Sequence, residues 1–499
     1  MRLVRALKIS SLLSTAVLAG CSTTGALAPY AAARPGFDKV ETLTASAGAQ
    51  SVWVQSRAEA DAIAERVHQM VHKKRIGADT AVQVALLNNK GLQAAYAELG
   101  LSATEVWQQS LPQNPIVSVG ILGIASPGLG LFRAIESVIA ANILDLATRN
   151  ARVEIAETRF RQAQLTAANE TLRIAADTRR AWLRAVGAFE TVYLLNQAKA
   201  SADAASELAM KLGESGAFPK AAQLREHVFY AELTGQLAQA RLDAKLAKEE
   251  LTRLMGLWGE DVEYFVPDLL PDLPRRPKRN AGVEAEALGS RPDLAIARLE
   301  LDATAQSMGL TQATRYVTDL ELLAGAELER EIETEYELVG GNLEKHQTLE
   351  TGITPQLELE FAIPIFDSGE ARLRKAEFAY MRAANLLAEK AVNIRSEARA
   401  AYLAYIATYD IARHYRDNVV PLRTSIEEES LLTYNGMISN TFELLADARS
   451  KIGSLLAASQ AKRDFWLAET NLSTAIYGGD TAASSPSGAA MPEGGGAGH

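Results

Sequence analysis

Few side chains in this sequence have the chemistry of a catalytic or metal-binding site. The 499 residues include a single cysteine, Cys21, and six histidines. One cysteine excludes an intrachain disulfide and any metal cluster held by several cysteines. His68 and His72 are four residues apart, a spacing that places both rings on one helix face, where they could hold a metal ion. Because two histidines without a nearby carboxylate or thiol are more often a solvated helix face, we predict no metal site.

No motif of a known catalytic chemistry is present. The sequence has no glycine-rich phosphate loop, no HExxH pair of zinc-binding histidines, and no second cysteine that could act as a nucleophile. The formal charge is −10, from 51 Lys and Arg against 61 Asp and Glu, which argues against a surface that binds nucleic acid. We therefore predict a protein that is not an enzyme, carries no cofactor and does not bind nucleic acid.

Cys21 ends an N-terminal stretch that has the form of an export signal. Basic residues precede a short apolar run over 9–18, and LAGC follows at 18–21. The run is too short to span a bilayer as a helix, so we predict that residues 1–20 are a removable signal peptide. The stretch resembles a bacterial lipoprotein signal, which implies cleavage before Cys21 and a diacylglycerol on its sulfur. An ordinary cleavage site beside a cysteine is the alternative. Ser22, in place of an aspartate, favours the outer membrane, and residues 21–57 are expected to be a lipidated linker.

The rest of the sequence contains a duplication. Residues 178–257 align with residues 398–477 at a constant offset of 220 without a gap, and Gly216 aligns with Gly436. Four prolines, at 267, 271, 274 and 277, follow the first copy and exclude a continuous helix there. The predicted domain order is a first repeat over 58–257, a proline-rich linker over 258–289, a second repeat over 290–478 and a disordered tail over 479–499.

Each repeat is predicted to contain a long antiparallel helical hairpin with the paired glycine at its bend. In 233–254 apolar and small residues recur every three or four positions, which is the heptad pattern of helices that pack at small crossing angles. No proline interrupts residues 148–213, so we predict one continuous helix there. Shorter helices are predicted over 81–109 and 291–314. Periodicity alone also fits a coiled-coil spacer.

The segment QLELEFAIPIF at 356–366 alternates between apolar and acidic or polar side chains. A period of two indicates a strand whose two faces differ. A strand with apolar residues toward lipid and acids toward water is what a membrane barrel requires; a soluble sandwich is the alternative. We predict residues 317–328 as its partner strand and residues 329–353 as a polar tip between the two. The apolar face would contain Leu357, Leu359, Phe361, Ile363 and Ile365.

The first repeat carries a weaker strand signal. Residues 116–124 are strand-like, whereas residues 131–146 are apolar and fit either a strand or a helix. Four strands from one chain are too few to close a membrane barrel, since such barrels begin at about eight strands. If the barrel interpretation holds, the protein must be an oligomer.

Together these features resemble the TolC-like outer-membrane efflux factors. The resemblance covers about residues 58–478 and rests on three motifs: SRPDL at 290–294, IPIFDSG at 363–369 and YNGMISNTFELL at 434–445. It implies a mostly α protein with a small membrane β part. Duplicated long helical hairpins would form an α-barrel, and the strands would contribute to a trimeric outer-membrane β-barrel. It also implies a homotrimer that meets a periplasmic adaptor protein and an inner-membrane pump.

The resemblance also implies roles for particular residues. In the family the hairpin bends form the periplasmic tip, which contacts the adaptor and closes the pore; acids near the tip can line the pore. Here the tip would comprise Gly216, Ala217, Phe218, Leu224, Gly436, Met437, Ile438 and Leu444, with Glu443 and Asp447 as possible pore acids. A turn glycine, core leucines and a solvated acidic face are the alternative explanations of these residues.

Two local expectations rest on physical chemistry. A reversing helix needs a residue in the left-handed conformation, which glycine adopts most easily, so Gly216 and Gly436 are expected to adopt it. At the return from strand to helix, Pro364 would end strand pairing, and Asp367 and Gly369 would form the turn.

We therefore expect an outer-membrane channel component of a tripartite efflux system. It would passively conduct what an inner-membrane pump and a periplasmic adaptor deliver, either heavy-metal ions or drugs, because nothing in the sequence binds a nucleotide. The alternative function is a periplasmic coiled-coil lipoprotein tether, or an adaptor without a channel. The duplicated hairpin argues against an adaptor, and the strand at 356–366 argues against a tether.

Overall fold

The computed structural model describes residues 28–45, 50–124, 132–216, 219–280, 282–339, 342–436 and 441–479. Cys21 and the tail from 480 onward lie outside the described residues, as do Ala217, Phe218, Met437 and Ile438. The described chain forms two compact units. The strand unit takes its residues from Met1–Pro35, Gly100–Ala163 and Ala297–Leu387, and the hairpin unit from Gly36–Leu99, Gln164–Ile296 and Ala388–His499. No described helix combines the length and apolarity needed to cross a membrane.

The strand unit contains one antiparallel sheet in the order β1-β2-β3-β4. The strands are β1 (Ile116–Leu122), β2 (Ala134–Asn142), β3 (Leu320–Val339) and β4 (Asn342–Phe361). β2 pairs with β3, with Ile135 opposite Leu328, so strands from the two halves of the sequence share one sheet. The predicted strand at 116–124 and the predicted pairing of 317–328 with the segment after 356 are both confirmed.

The predicted polar tip over 329–353 is wrong, because β3 and β4 are each 20 residues long and pair through most of this segment. Its side chains are largely polar, but a strand ladder is held by backbone hydrogen bonds, so it needs no continuous apolar face. The strand predicted over 356–366 also ends early, at Phe361. Beyond it the chain turns at Pro364, where the Ile365 N–H donates to the Ile363 carbonyl at 2.8 Å.

Eleven α-helices are described within the ranges given above. They are α1 (Phe37–Thr44), α2 (Arg57–Val71), α3 (Ala78–Asn88), α4 (Lys90–Ser110), α5 (Ile143–Glu214), α6 (Lys220–Met255), α7 (Val283–Ser290), α8 (Pro292–Ala313), α9 (Glu370–His414), α10 (Val420–Asn435) and α11 (Thr441–Tyr477). A 3₁₀ turn spans Gly259–Val262, and a π-helical turn spans Tyr415–Val419. The first hairpin is α5 and α6; the second is α9, α10 and α11.

The long helix predicted over 148–213 is confirmed as α5, which begins earlier, at Ile143. Within the ambiguous segment 131–146, Ala134–Asn142 is therefore strand and the chain is helix from Ile143. Asn142 makes this switch possible, because its Oδ1 accepts a hydrogen bond from the Asp145 N–H at 2.7 Å, at the start of the helix.

The single helix predicted over 81–109 is wrong, since α3 and α4 are separated at Asn89. The asparagine amides explain the break. Asn88 Nδ2 donates to the Gly256 carbonyl at 2.7 Å, and Asn89 Nδ2 donates to the Leu254 carbonyl at 2.9 Å. Asn89 Oδ1 also accepts from the Leu92 N–H at 3.1 Å and so caps α4. The helix predicted over 291–314 is confirmed within a residue at each end.

The π-helical turn Tyr415–Val419 was not predicted. It ends two residues before Pro421, whose ring lacks an N–H and would clash with the carbonyl four residues back. A π turn widens the helix locally and is a known way to accommodate such an interruption. The proline therefore does not end the helical arm, which continues as α10.

The heptad pattern of 233–254 forms the seam of the first hairpin. Leu233, Leu237 and Ala240 of α6 are buried in one cluster with Leu195, Ala198 and Ala202 of α5. The later pattern positions Ala244, Leu251 and Leu254 are buried too, and Ala247 is half-buried. The predicted seam is confirmed.

Candidate functional site

The sheet exposes large apolar side chains on both of its edge strands. On β4, Leu357 is 75% exposed, Leu359 56% and Phe361 55%; on β1, Ile116, Val117, Val119, Ile121 and Leu122 are exposed as well. Apolar surface of this extent on a strand is unfavourable in water and indicates that something apolar covers it. The predicted apolar face of β4 is therefore present in these three residues, whereas Ile363 and Ile365 lie beyond the strand.

The opposite face of β4 is polar. Gln356 is half-buried, and its Nε2 donates to Glu327 Oε2 on β3 at 3.2 Å. Glu358 and Glu360 are exposed to solvent on the same face. This separation of apolar and acidic side chains suits a sheet with lipid on one side and water on the other.

The return from β4 to α9 is a tight turn at Asp367 and Gly369. Asp367 Oδ1 accepts a hydrogen bond from the Gly369 N–H at 2.8 Å. Gly369 has φ +72°, and a Cβ on it would lie 2.7 Å from the carbonyl oxygen of Arg315. Both observations favour glycine at this position of the turn. Pro364 lies three residues beyond the end of β4, outside the ladder.

The two hairpin bends differ in backbone conformation. Gly216 has φ +76°, the left-handed conformation expected of it. Gly436 has φ −77° and ψ 1°, which residues other than glycine also adopt, so the expectation is wrong there. The Gly436 N–H still donates to the Leu432 carbonyl at 2.9 Å, which continues the helical hydrogen bonding into the bend. Beside the bends, Leu224 is exposed and Leu444 is half-buried.

The two acids predicted near the second bend have different surroundings. Glu443 is exposed. Asp447 is half-buried and accepts a hydrogen bond from Ser430 Oγ, which joins α11 to α10. Asp447 thus takes part in the packing of the second hairpin.

Sequence reasoning missed a buried ion pair between the two hairpins. Glu226 on α6 is only 3% exposed, and its Oε1 lies 2.8 Å from Arg449 Nη2 on α11. The Arg449 guanidinium also lies over the ring of Phe229, 4.2 Å from its centroid. A signal was present, because Glu226 stands seven residues before Leu233, on the extension of the heptad seam. An acid at a seam position indicates a buried partner.

A second buried contact ties both hairpins to the proline-rich segment. Glu190 on α5 is buried, and its Oε1 lies 2.7 Å from Lys462 Nζ on α11. Its Oε2 accepts a hydrogen bond from the Leu270 N–H at 2.9 Å. The linker is therefore fastened to helices of both copies in the hairpin unit.

The SRPDL motif forms a clamp between α8 and α9. Arg291, almost fully buried, lies 2.8 Å from Asp293 and 2.5 Å from Glu397. Lys390 Nζ approaches Asp293 at 3.2 Å. Burial raises the pKa of the Asp293 carboxyl, but the hydrogen bond and charge of Arg291, together with Lys390, outweigh it and hold the pKa below its ordinary value. This motif therefore stabilises the packing of α8 against α9.

Glu469 on α11 is a half-buried acid whose burial is only partly compensated by nearby positive charges. It lines a cavity of about 650 Å³ in the hairpin unit, together with Arg179, Lys278 and Tyr405. Burial raises the pKa of the Glu469 carboxyl, and the charges of Lys278 and Arg179 offset this only in part.

His68 and His72 do not form the isolated pair that the sequence suggested. His68 Nδ1 lies 2.6 Å from Asp261 Oδ1, a carboxylate 193 positions away in the sequence. The reason for interpreting the pair as a solvated helix face therefore does not hold.

Solved structures share this architecture. The outer-membrane channel OprN matches 87% of this chain and 95% of its own at a TM-score of 0.63 and 17% identity. CusC, whose crystal structures describe changes that accompany folding and transmembrane channel formation, matches 80% and 92% at 0.62 and 15%. The CmeC outer-membrane channel of Campylobacter jejuni matches 81% and 86% at 0.62 and 16%. No protein family and no curated protein matches the sequence itself.

These likenesses show the fold: the chain has the architecture of the outer-membrane channels. The fold expected from the resemblance to the TolC-like efflux factors, mostly helical with a small antiparallel sheet, is confirmed.

Proposed function

We propose that this chain is the outer-membrane channel component of a tripartite efflux system. It provides a passive path to the exterior for what an inner-membrane pump and a periplasmic adaptor deliver. The observation that carries the proposal is the four-stranded sheet with apolar side chains exposed on both edge strands, within the fold shared with outer-membrane channels.

The edges of the sheet support a homotrimer. Among the described residues, β1 and β4 each pair with one neighbouring strand and so offer free backbone groups on the other side. Such edges are templates for pairing with another chain. Three copies that join β1 of one chain to β4 of the next make twelve strands, which is within the range of membrane barrels. The exposed Leu357, Leu359 and Phe361 then face lipid.

The proposal also includes a lipid anchor that attaches the chain to the outer membrane. Cys21 is the acylated residue, at the head of the mature chain. Changing Cys21 to Ala removes the only thiol in the sequence, so incorporation of labelled palmitate should cease. The control variant Ser22→Ala keeps Cys21 and should still be labelled. Undiminished labelling of the Cys21→Ala protein would refute the anchor.

The hairpin bends form the periplasmic tip that contacts the adaptor. Gly216, Leu224, Gly436 and Leu444 are its described residues, and Ala217, Phe218, Met437 and Ile438 complete it. The exposed Leu224 supports this role, since an apolar side chain near a bend is available to a partner. Glu443 is the acid that remains a candidate for the pore.

The alternative, a coiled-coil tether or adaptor without a channel, does not account for the sheet. Neither of these needs strands with an apolar face toward lipid. To separate the two, we compare Leu357→Glu/Leu359→Glu with Glu358→Gln/Glu360→Gln in a strain that lacks the native gene. Both double variants change neighbouring positions of β4, on opposite faces.

Insertion of a channel into the membrane requires the apolar face of β4 and does not require its acidic face. The first double variant should therefore lose the cross-linked trimer in the outer membrane and fail to restore export, whereas the second should restore both. Equal complementation by the two would refute the membrane sheet. A panel of copper, silver and zinc salts beside dyes and detergents identifies the cargo: sensitivity confined to metals indicates heavy-metal export, and sensitivity to amphiphiles indicates drug export.

A further inference from the structure

His68 and His72 lie at the C-terminal end of α2, against the 3₁₀ turn Gly259–Val262 that follows the first hairpin. Their rings are stacked, with centroids 4.5 Å apart and planes inclined by 21°. Asp261 of the turn contacts His68 at 2.6 Å, and the backbone carbonyl of Glu260 lies 3.3 Å from His72 Nδ1. Both histidines and the aspartate are half-buried.

These contacts determine which ring nitrogens are free. A carbonyl oxygen can only accept, so His72 Nδ1 carries the hydrogen and donates it to Glu260. An ionised carboxylate also only accepts, so His68 Nδ1 donates to Asp261. In the neutral form of each ring, Nε2 therefore keeps its lone pair. A histidine whose Nδ1–H is held by a carbonyl or carboxylate is the usual form of a metal ligand.

The spacing of the side chains fits a single ion. One ligand atom from each of His68, His72 and Asp261 lies within 4.8 Å of the others. Ligands of a tetrahedral zinc ion with bonds of about 2.0–2.1 Å are about 3.4 Å apart. The site also lies at the carbonyl end of α2, where a cation is favoured.

We propose that His68 and His72 bind a divalent cation of the zinc and copper type through their Nε2 atoms, and that Asp261 positions His68 and supplies a compensating negative charge. Imidazole nitrogens suit Zn²⁺ and Cu²⁺, whereas Mg²⁺ and Ca²⁺ prefer oxygen ligands. Water completes the coordination shell. Both ligands lie at the end of α2, and Asp261 and the Glu260 carbonyl of the 3₁₀ turn hold the two rings in place for the ion, whether or not the chain conducts export.

The test uses the full chain in detergent, without a histidine tag, stripped of metal by a chelator. Titration calorimetry with Zn²⁺ alone should show one ion per chain. His72→Gln should weaken binding more than 100-fold, and Asp261→Ala should weaken it 10- to 100-fold, the range for a positioning carboxylate. His227→Gln is the matched control, since His227 is exposed on α6 and its ring nitrogen lies 3.4 Å from Ser206 Oγ. The affinity of the His227→Gln variant for Zn²⁺ should equal that of the native chain.

Electron paramagnetic resonance with Cu²⁺ supplies a readout that altered folding would not imitate. The native chain should show hyperfine coupling from two nitrogens, the His72→Gln variant coupling from one, and the Asp261→Ala variant still coupling from two. No saturable binding by the native chain, undiminished affinity in a His68→Gln/His72→Gln variant, or a spectrum without nitrogen coupling would each overturn the site. Far-ultraviolet circular dichroism shows that each variant is folded.

Discussion

Replacing Arg449 by methionine removes the partner of a buried carboxylate. Glu226 is 3% exposed and lies 2.8 Å from Arg449, so the variant leaves an unpaired negative charge buried between α6 and α11. Removing one partner of a buried pair costs about 3–5 kcal/mol. Because the Arg449 side chain is 32% exposed, water reaches part of the vacated space, and we expect about 3 kcal/mol, the lower end of that range.

Amide hydrogen exchange measures this cost locally. A loss of about 3 kcal/mol in the stability against opening accelerates exchange about 100-fold, since each 1.4 kcal/mol is a factor of ten. Peptides around Glu226 and around Arg449 should show the acceleration. The exposed pair Glu207–Lys211 on α5, whose charged atoms are 2.7 Å apart, is the control, and Lys211→Met should leave exchange around it unchanged.

A double variant separates the charge from the packing. Glu226→Leu/Arg449→Met removes both charges and places leucine on the extended heptad seam, seven residues before Leu233. Replacing a buried ion pair by apolar residues is often neutral or stabilising. Exchange in the double variant should therefore return to the native rate or become slower. If the double variant exchanges as fast as Arg449→Met, the cost comes from the lost contact with Phe229, and the argument from the stranded carboxylate is refuted.

Three further predictions concern other groups. Because burial raises the pKa of Glu469, the folded state loses stability as pH rises through that pKa; Glu469→Gln should raise Tm at pH 7 and leave it unchanged at pH 4. Gly369→Ala should cost about 1–3 kcal/mol in urea unfolding, given its left-handed φ and the Arg315 carbonyl 2.7 Å away. Gly309→Ala, in open space on α8, should instead stabilise by about 0.5–1 kcal/mol, and equal effects would contradict this. Gly216→Val should accelerate amide exchange at its bend, and Gly436→Val should not, because only Gly216 has a positive φ.

Where one side-chain pattern decided the structure, the sequence was sufficient. The seam Leu233, Leu237 and Ala240 follows from apolar spacing, because helix packing depends on which side chains share a face. The strand at Leu357 and Leu359 follows from alternation in the same way. The same alternation continues in β3, where glutamate occupies every second position from Glu327 to Glu337. The residues between these glutamates include Arg330 and Thr334 and form no continuous apolar face, so the sequence favoured a polar tip and the prediction was wrong.

Contacts between distant segments were beyond the sequence. Asp261 reaches His68 across 193 positions, and Asn88 reaches Gly256 across 168. No local spacing indicates either contact. The contact between Glu226 and Arg449 could be predicted in part. An acid at a seam position indicates that a buried partner exists, but the sequence does not identify which residue it is.

The π-helical turn has a consequence for symmetry. Residues 195–199 of α5, which align with Tyr415–Val419 at the offset of 220, are ordinary α-helix, so the two copies are no longer superposable beyond that point. Their bends end in different conformations at Gly216 and Gly436. A trimer of this chain would therefore carry six bends of two alternating kinds and have threefold rather than sixfold symmetry at that end. A partner that binds there contacts three equivalent sites, and each site consists of two bends, one of each kind.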